Sequence, residues 1–314
     1  MYDLIIVGGG VVAFSAAIYA GRYHMKTLIL GESIGGTLML TTEIENYPGF
    51  ESISGMDLFD KVKKHAEKYN DYIESKQQKV ETIEKTGKFF SVQTTDGKYE
   101  AKSLLIATGT KWRKLKVPGE KEFTGNGVHY CATCDGFIYN DKIVAVVGGS
   151  DSAAKEALLL TNYAKKVYII YRKENIRAEP ITVKRVKENS KIEIINNSNV
   201  TEIVGDKIVK NVILDREYNR SKEFPVDGLF IEIGHIPLSD ITKGIGVKIN
   251  DKKEILIDKN GKTNVDGVFA AGDITDNSFK QVITGVGQGV IAINSVYEYL
   301  ESLKWLNIFI LYFF

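Results

Sequence analysis

A strand that runs into a glycine turn and out again into a helix occurs twice in this chain. That repeat restricts the fold more than any other feature. The first copy is Tyr2-Asp3-Leu4-Ile5-Ile6-Val7, a short apolar run with β-branched residues, then Gly8-Gly9-Gly10-Val11-Val12-Ala13, then a small-residue helix from Phe14 to about Tyr23. The spacing G-x-G-x-x-A suits a dinucleotide. Gly8 allows the tight turn, Gly10 lets a pyrophosphate approach the backbone, and Ala13 lets the helix pack close to the strand. The anion then rests on free N–H groups at the helix start. The second copy is Ile143-Val144-Ala145-Val146-Val147, then Gly148-Gly149-Ser150-Asp151-Ser152-Ala153, then a helix to about Tyr163. A glycine turn in an ordinary βαβ unit would look the same locally, so the cofactor reading needs support from elsewhere.

That support begins with Cys131-Ala132-Thr133-Cys134-Asp135-Gly136, which holds both cysteines of the chain. Two thiols at this spacing can close a small disulfide and open it again. The adjacent Asp135 is in reach of a thiol as proton donor or acceptor. Three uses are open to the pair: a zinc site, an inert crosslink, or a working redox dithiol. Zinc would need two more ligands, and the four histidines (His24, His65, His129, His235) form no H-x3-5-H pair. No metal is therefore expected. With few cysteines and no export signal visible, the sequence points to a reducing cytoplasm, where a disulfide is usually transient and catalytic. The redox reading is the favoured one.

The rest of the chain adds ligand-facing loops. Thr27-Leu28-Ile29-Leu30 is a second strand, and Glu32 just beyond it is the acid that would hold an adenosine ribose. Gly35-Gly36-Thr37 and Glu43-Ile44-Glu45-Asn46-Tyr47-Pro48-Gly49 are loops that suit a large flat ligand. Residues 56–70 have helical spacing and read as a solvated helix. Residues 89–99 form a hairpin about Asp96-Gly97, and Ser103-Leu104-Leu105-Ile106 is a strand leading to Thr108-Gly109. After the second glycine turn, Val167-Tyr168-Ile169-Ile170 ends in a basic cluster, Arg172, Lys173 and Arg177. An acid there would favour NAD; cations suit a 2′-phosphate and so NADPH. Two strands surround Gly205-Asp206. The final strand, Val268-Phe269-Ala270-Ala271, runs into Gly272-Asp273, and a last helix extends through Tyr299.

The order of these parts fits an insertion. One nucleotide half opens the chain, a second occupies the middle, and Gly272-Asp273 returns near the end. The expected fold is α/β, with two Rossmann-like dinucleotide-binding domains. Residues 1–113 and 241–314 form the outer one, and 114–240 form the inserted one, which carries the dithiol. The length of 314 residues suits about two domains. The net charge of +1, with 44% hydrophobic and 26% charged residues, predicts neither nucleic-acid binding nor a basic membrane surface. Trp305-Leu306-Asn307-Ile308-Phe309-Ile310-Leu311-Tyr312-Phe313-Phe314 is about half the length of a membrane span. Docking on the body of the protein or a subunit contact is expected ahead of the third alternative, dipping into an interface.

With these residues in hand the chain resembles the low-molecular-weight thioredoxin reductases, in the two-dinucleotide-domain flavoprotein superfamily, from Leu4 to about Leu300. The specific marks are Cys131 to Gly136, the Thr-Glu-x-Glu-Asn-x-Pro-Gly stretch that ends at Gly49, and Phe269-Ala270-Ala271-Gly272-Asp273. The resemblance implies FAD in the outer domain. Gly8, Gly10 and Ala13 would meet its pyrophosphate and Glu32 its ribose. Gly35, Gly36, Thr37, Asn46, Thr108 and Gly109 would line the flavin. Gly272 and Asp273 would hold the ribitol, with Lys280, Gln281 and Val282 at the isoalloxazine edge. It implies NADPH on Gly149, Ser150, Ser152, Arg172, Lys173 and Arg177.

Electrons would pass from NADPH through FAD to the Cys131–Cys134 pair and on to a thioredoxin-like protein. Cys134 would face the flavin, Cys131 would attack the partner disulfide, and Asp135 would be the acid or base. The insert would have to rotate about its crossings near Lys114 and Asp240. A homodimer is implied. The chain departs from the family pattern at Val11-Val12 (for Pro-Ala), Thr37 (for Gln), Lys280 (for Arg), Tyr171 (for His) and Lys173 (for the second Arg). Two rivals are a flavin dithiol oxidase that passes electrons to oxygen or peroxide, and a redox-silent flavoprotein module.

Overall fold

A computed structural model describes residues 1–41 and 44–313, with side chains through 304. In chain order the elements are β1 (Tyr2–Val7), α1 (Val11–Arg22), β2 (Thr27–Gly31), α2 (Gly55–Glu67), β3 (Ile73–Gln77), β4 (Val80–Thr86), β5 (Phe89–Thr94), β6 (Lys98–Ile106) and β7 (Thr110–Trp112). There follow β8 (Val128–His129), α3 (Ala132–Asp135), β9 (Ile143–Val147), α4 (Asp151–Leu160), β10 (Lys166–Tyr171), α5 (Pro180–Glu188), β11 (Ile192–Asn196), β12 (Val200–Gly205), β13 (Val209–Tyr218), β14 (Ser221–Pro225) and β15 (Gly228–Ile231). The chain closes with β16 (His235–Pro237), β17 (Val268–Ala270) and α6 (Val282–Phe313). It divides into two compact units: Met1–Lys111 with Ile236–Phe314, and Trp112–His235.

In the first unit the sheet runs β3-β2-β1-β6-β5-β4, with β17 also on β6. β1 lies between β2 and β6, parallel to both: Leu4 is opposite Thr27 on one side and Ser103 on the other. Its residues Leu4 to Ile6 are wholly buried, as a strand covered on both faces must be. One face carries α1, whose Ala13, Ala16, Ala17 and Ala20 allow close approach, together with Ile293 and Val296 of α6. The other face packs Val7, Leu28, Val92, Leu104 and Ile255 into a second layer. The parallel strands β1, β2, β6 and β17 all end at one edge, and such an edge is where open α/β sheets bind ligands.

The second unit repeats the plan. Its sheet, β11-β10-β9-β15-β8, is parallel throughout, and β12-β13-β14 forms a separate antiparallel ribbon. The fold is thus two Rossmann-like dinucleotide-binding domains, one inserted in the other.

Four local expectations need correction. The helix expected over 56–70 is amphipathic rather than simply solvated, because Leu58, Phe59 and Ala66 of α2 are buried in the core. The second hairpin strand and the strand at Ser103 are one strand, β6, which pairs with β5 through its first half and with β17 through its second. α4 ends at Leu160, short of Tyr163. The last helix does not stop at Tyr299: its backbone continues to Phe313. The expected docking of the apolar tail concerns side chains beyond 304, which lie outside the described residues. Among the described residues, no helix is long and apolar enough to cross a membrane.

Candidate active site

The redox turn is built by Cys131. Its extended backbone, two residues past β8, caps α3, and its carbonyl accepts from the N–H groups of Cys134 and Asp135, each at 3.2 Å. Its Sγ accepts from Cys134 N–H at 3.1 Å. One tight turn therefore brings residues i and i+3 to the same side, and the two cysteines are joined as a disulfide with Cα atoms 5.3 Å apart. The two sulfurs differ in access. Cys131 is only 7% exposed, whereas Cys134 is exposed. Phe137 and Ile138, at 62% and 54% exposure, present an apolar surface just after the pair.

Four residues around this turn were not foreseen as site residues. His129, 4% exposed, places Nδ1 3.0 Å from Asp135 Oδ2 and Nε2 2.7 Å from the Tyr139 hydroxyl. Its ring stacks on Phe230 with centroids 5.3 Å apart. Tyr139 is buried, and burial together with the charges of Asp135 and Asp227 pushes its hydroxyl pKa well above the usual range. From α4, Glu156 Oε1 accepts from Ala132 N–H at 3.1 Å, which satisfies one of the orphan donors of the short helix α3. Its Oε2 is buried with no partner. Burial raises the Glu156 carboxyl to about 7, against the opposing pull of the Ala132 N–H and with help from the charge of Asp135. Glu232, 5% exposed, is raised further, to about 9, by burial and then by the charge on Glu156. The motif therefore stands on a bed of buried proton-holding groups.

In the first unit the glycine turns differ in what they do. Gly8 has φ +134°, and a Cβ there would fall 2.2 Å from the Ala107 carbonyl oxygen. Gly10, the residue before α1, has φ −85°; a Cβ on it would meet nothing within 4 Å. Gly8 thus serves the chain's own packing, and Gly10 leaves an open cradle at the start of a helix. Gly35 bridges to Gly10, Gly36 follows at φ +62°, and Thr37 is exposed beside them. Ala13 is fully buried under the turn.

Thr108 Oγ1 donates to Leu238 O at 3.2 Å. Gly109, at φ +63°, is also open. Gly272 donates its N–H to Gln288 Oε1 at 2.9 Å, which fixes the turn that carries the half-buried Asp273. Asn46 Nδ2 donates to Gln281 Oε1 at 3.0 Å, just before Val282 begins α6. Lys280 gives its ammonium to Asp273 O and Thr275 O, both at 2.7 Å, and to Glu254 at 2.9 Å. With three donors and three acceptors, it acts on the Asp273 turn. Glu32 is exposed at the end of β2 and pairs with Lys79 at 3.2 Å.

In the second unit Ser150 caps α4, and its Oγ accepts from Ala153 N–H at 3.4 Å. Arg177 is folded back onto this turn: its N–H donates to Gly149 O at 2.6 Å and its Nε donates to Tyr171 Oη at 3.1 Å. Gly149 is not an open cradle, because a Cβ there would lie 2.4 Å from the Tyr171 ring. Arg172 and Lys173 are exposed where β10 ends, and Ser152 is exposed on the first turn of α4. Arg177 thus stands at the start of α4, and Arg172 and Lys173 are exposed at the end of the adjacent strand β10, a set of cations that favours a phosphate. Among the described residues there is no cluster of three or more His, Cys, Asp and Glu side chains able to hold a metal ion.

Two nucleotide-type units and a C-x-x-C disulfide define a flavin-class disulfide oxidoreductase architecture, and comparison with known proteins agrees. The chain belongs to the pyridine nucleotide-disulphide oxidoreductase family, whose model matches residues 2–289. It is 38% identical to the thioredoxin reductase of Bacillus subtilis over 97% of this chain and 96% of that one. Its structure is similar to the thioredoxin reductase of Lactococcus lactis, with a TM-score of 0.92, 36% identity and coverage of 96% and 100%. It is also similar to that of T. acidophilum, with a TM-score of 0.88, 38% identity and coverage of 95% and 98%.

Proposed function

We propose that this chain is an FAD-containing thioredoxin-disulfide reductase that takes its electrons from NADPH. The observation that carries the reading is the Cys131–Cys134 disulfide on a turn of the second unit, in a chain with one nucleotide-type edge per unit. The open cradle at Gly10, set at the start of α1, fits a pyrophosphate, and the Arg172, Lys173 and Arg177 cluster fits a 2′-phosphate. When bound, the flavin supplies two-electron transfer between a nicotinamide and a disulfide.

The chain's own residues do the rest. The Gly8–Gly10 turn and the Gly272-Asp273 turn hold the dinucleotide, and Lys280 fixes the second of these through Asp273 O and Thr275 O. Cys134, the exposed sulfur, is the one that takes electrons. Cys131, buried in this oxidised state, is the one that attacks a partner disulfide once the turn opens. Asp135 moves the proton, because thiol–disulfide exchange runs through the thiolate and each thiolate formed or consumed needs a proton partner. A small thioredoxin-like protein is the acceptor, which the relatives' shared name supports; we also propose a homodimer as the working form and the cytoplasm as the compartment.

The test is anaerobic. The purified yellow protein is mixed with NADPH, or with NADH, and flavin absorbance and free thiols are followed together, with and without a thioredoxin. Bleaching followed by two new thiols per chain, and transfer to thioredoxin, is the expected result. Bleaching without thiols would leave a flavin oxidase, and no bleaching would leave a redox-silent module.

A further inference from the structure

Reducing a disulfide with two electrons and one proton gives one thiol and one thiolate, so the turn must find a proton on every cycle. Asp135 follows Cys134 directly but holds at most one proton. Behind it lies a second acceptor. His129 Nδ1 is 3.0 Å from Asp135 Oδ2 and its Nε2 is 2.7 Å from Tyr139 Oη. The ring is 4% exposed and is stacked on Phe230, so water is kept off most of it and its plane is fixed.

The chemistry of the three groups allows two arrangements of the same atoms. With a neutral ring, Nδ1–H donates to the Asp135 carboxylate and the Tyr139 hydroxyl donates to Nε2. With an imidazolium, both ring nitrogens donate and the Tyr139 oxygen accepts. Turning one hydroxyl thus lets the pair hold one proton more or less while Asp135 keeps its hydrogen bond. Tyr139 is suited to this because burial and the nearby carboxylates keep it from ionising. A histidine with one nitrogen on a carboxylate is oriented for proton transfer.

We propose that His129, anchored by Tyr139, is a positioning residue that aims Asp135 and stores the proton Asp135 exchanges with the Cys131–Cys134 pair. This rests on the reductase reading above. In the reductive half, the S–S bond breaks as two electrons are supplied to it, one proton passes from the His129–Asp135 pair through Asp135 to one sulfur, and the ring returns from imidazolium to its neutral form beside an Asp135 carboxylate. In the oxidative half, Cys131 forms a bond to the partner's sulfur and the partner disulfide breaks. Asp135 then takes the remaining Cys134 thiol proton and passes it to His129, and the Cys134 thiolate closes on Cys131, which breaks the mixed disulfide so that both partner sulfurs have left as thiolates. The charged and titratable groups around this ring are Asp135 of α3, Tyr139 of the following turn, Asp227 ahead of β15, Glu156 of α4, and Glu232 through Glu156.

The test uses the holoenzyme and three variants: His129→Ala, His129→Asn and Tyr139→Phe. His129→Asn keeps a side-chain N–H for Asp135 but cannot take up a proton. Two quantities are followed from pH 6 to 9, on the order of the His and Cys titration range: the rate at which thiols appear after NADPH addition, and the alkylation rate of the dithiothreitol-reduced pair. His129→Ala should lose about tenfold in the thiol rate, the scale of a hydrogen bond to a charged group, while NADPH still bleaches the flavin at the wild-type rate. His129→Asn should recover most of that loss at one pH yet lack one ionisation in the alkylation profile. Tyr139→Phe should keep that ionisation and shift it. If both His129 variants keep the wild-type alkylation profile, the proposal is wrong. If wild type itself bleaches without yielding thiols, the reductase reading fails instead, and the alkylation profile still judges His129.

Discussion

The buried carboxyl under the redox turn should make stability depend on pH with a sign opposite to that of a salt-bridged acid. Glu156 holds its proton up to about pH 7 in the folded chain, against an ordinary value of 4.5. Between those two pH values the folded protein keeps a proton that the unfolded chain has released. The contribution of Glu156 to stability is therefore fully present below pH 4.5, falls as pH rises toward 7, and levels off above it. At 1.36 kcal/mol per pKa unit, the full effect is about 3 kcal/mol.

Glu156→Gln mimics the protonated form. Its amide oxygen still accepts from the Ala132 N–H that Glu156 Oε1 now serves, so the redox turn is kept and only the charge is removed. The variant should exceed wild type by about 1 kcal/mol at pH 5 and about 3 kcal/mol at pH 8. At roughly 2–4 °C per kcal/mol, its advantage in Tm should widen by about 4–8 °C across that range. Thermal melts of both proteins in matched buffers read this difference directly. A carboxylic C=O stretch present in wild type below pH 7 and missing from the variant gives a second readout. A Tm advantage that is flat with pH, or that shrinks as pH rises, would refute the buried proton. Glu232→Gln should behave similarly, with its widening extending toward pH 9, because burial, and then the charge on Glu156, raises the Glu232 carboxyl further.

The two glycines of the first turn should separate cleanly. Gly8→Ala forces a Cβ to 2.2 Å from Ala107 O at φ +134° and should cost about 2–4 kcal/mol, seen as a lower Tm. Gly10→Ala meets nothing, so stability should stay within about 0.5 kcal/mol while the 450 nm absorbance per chain falls. Arg172→Ala removes an exposed cation of the proposed 2′-phosphate site; on that proposal it should raise KM for NADPH about tenfold and leave KM for NADH unchanged. Arg177→Ala should do the same and also loosen the turn, since Arg177 Nε holds Tyr171; a lower Tm than that of Arg172→Ala checks this. Cys134→Ser should leave flavin bleaching by NADPH intact and abolish thiol release and thioredoxin reduction.

What could be read from the sequence and what could not divide along a physical line. The strands were legible because apolar β-branched runs such as Leu4–Val7 and Ile143–Val147 are local signals. The glycine turns were legible because Gly8 and Gly148, at φ +134° and +154°, occupy backbone conformations that other residues rarely adopt. The meaning of Gly149 was not legible. It is glycine because the Tyr171 ring presses on it, and that approach comes from the parallel pairing of β9 with β10. Lys280 is partly the same: Asp273 O and Thr275 O lie in the turn just before it, but Glu254 is 26 residues away and only the fold brings it near.

His129 and Glu156 were passed over for the same reason, yet each left a trace. Val128 and His129 make up the whole of the short buried strand β8, and a polar ring on such a strand must find hydrogen-bond partners; Asp135 and Tyr139, six and ten residues on, are the polar groups the turn returns to it. Glu156 lies three residues after Ala153, next to Ala157 and four residues before Leu160, on the edge of the buried stripe of α4. A carboxyl on the flank of an alanine stripe, on the helix against which α3 packs, has little water to face. It must either find a donor or hold a proton. It does both: Ala132 N–H reaches Oε1, and the unpartnered Oε2 is the oxygen on which a retained proton would sit. Reading helix faces for misplaced charge, rather than motifs for familiar letters, would have found the proton chemistry beneath the disulfide.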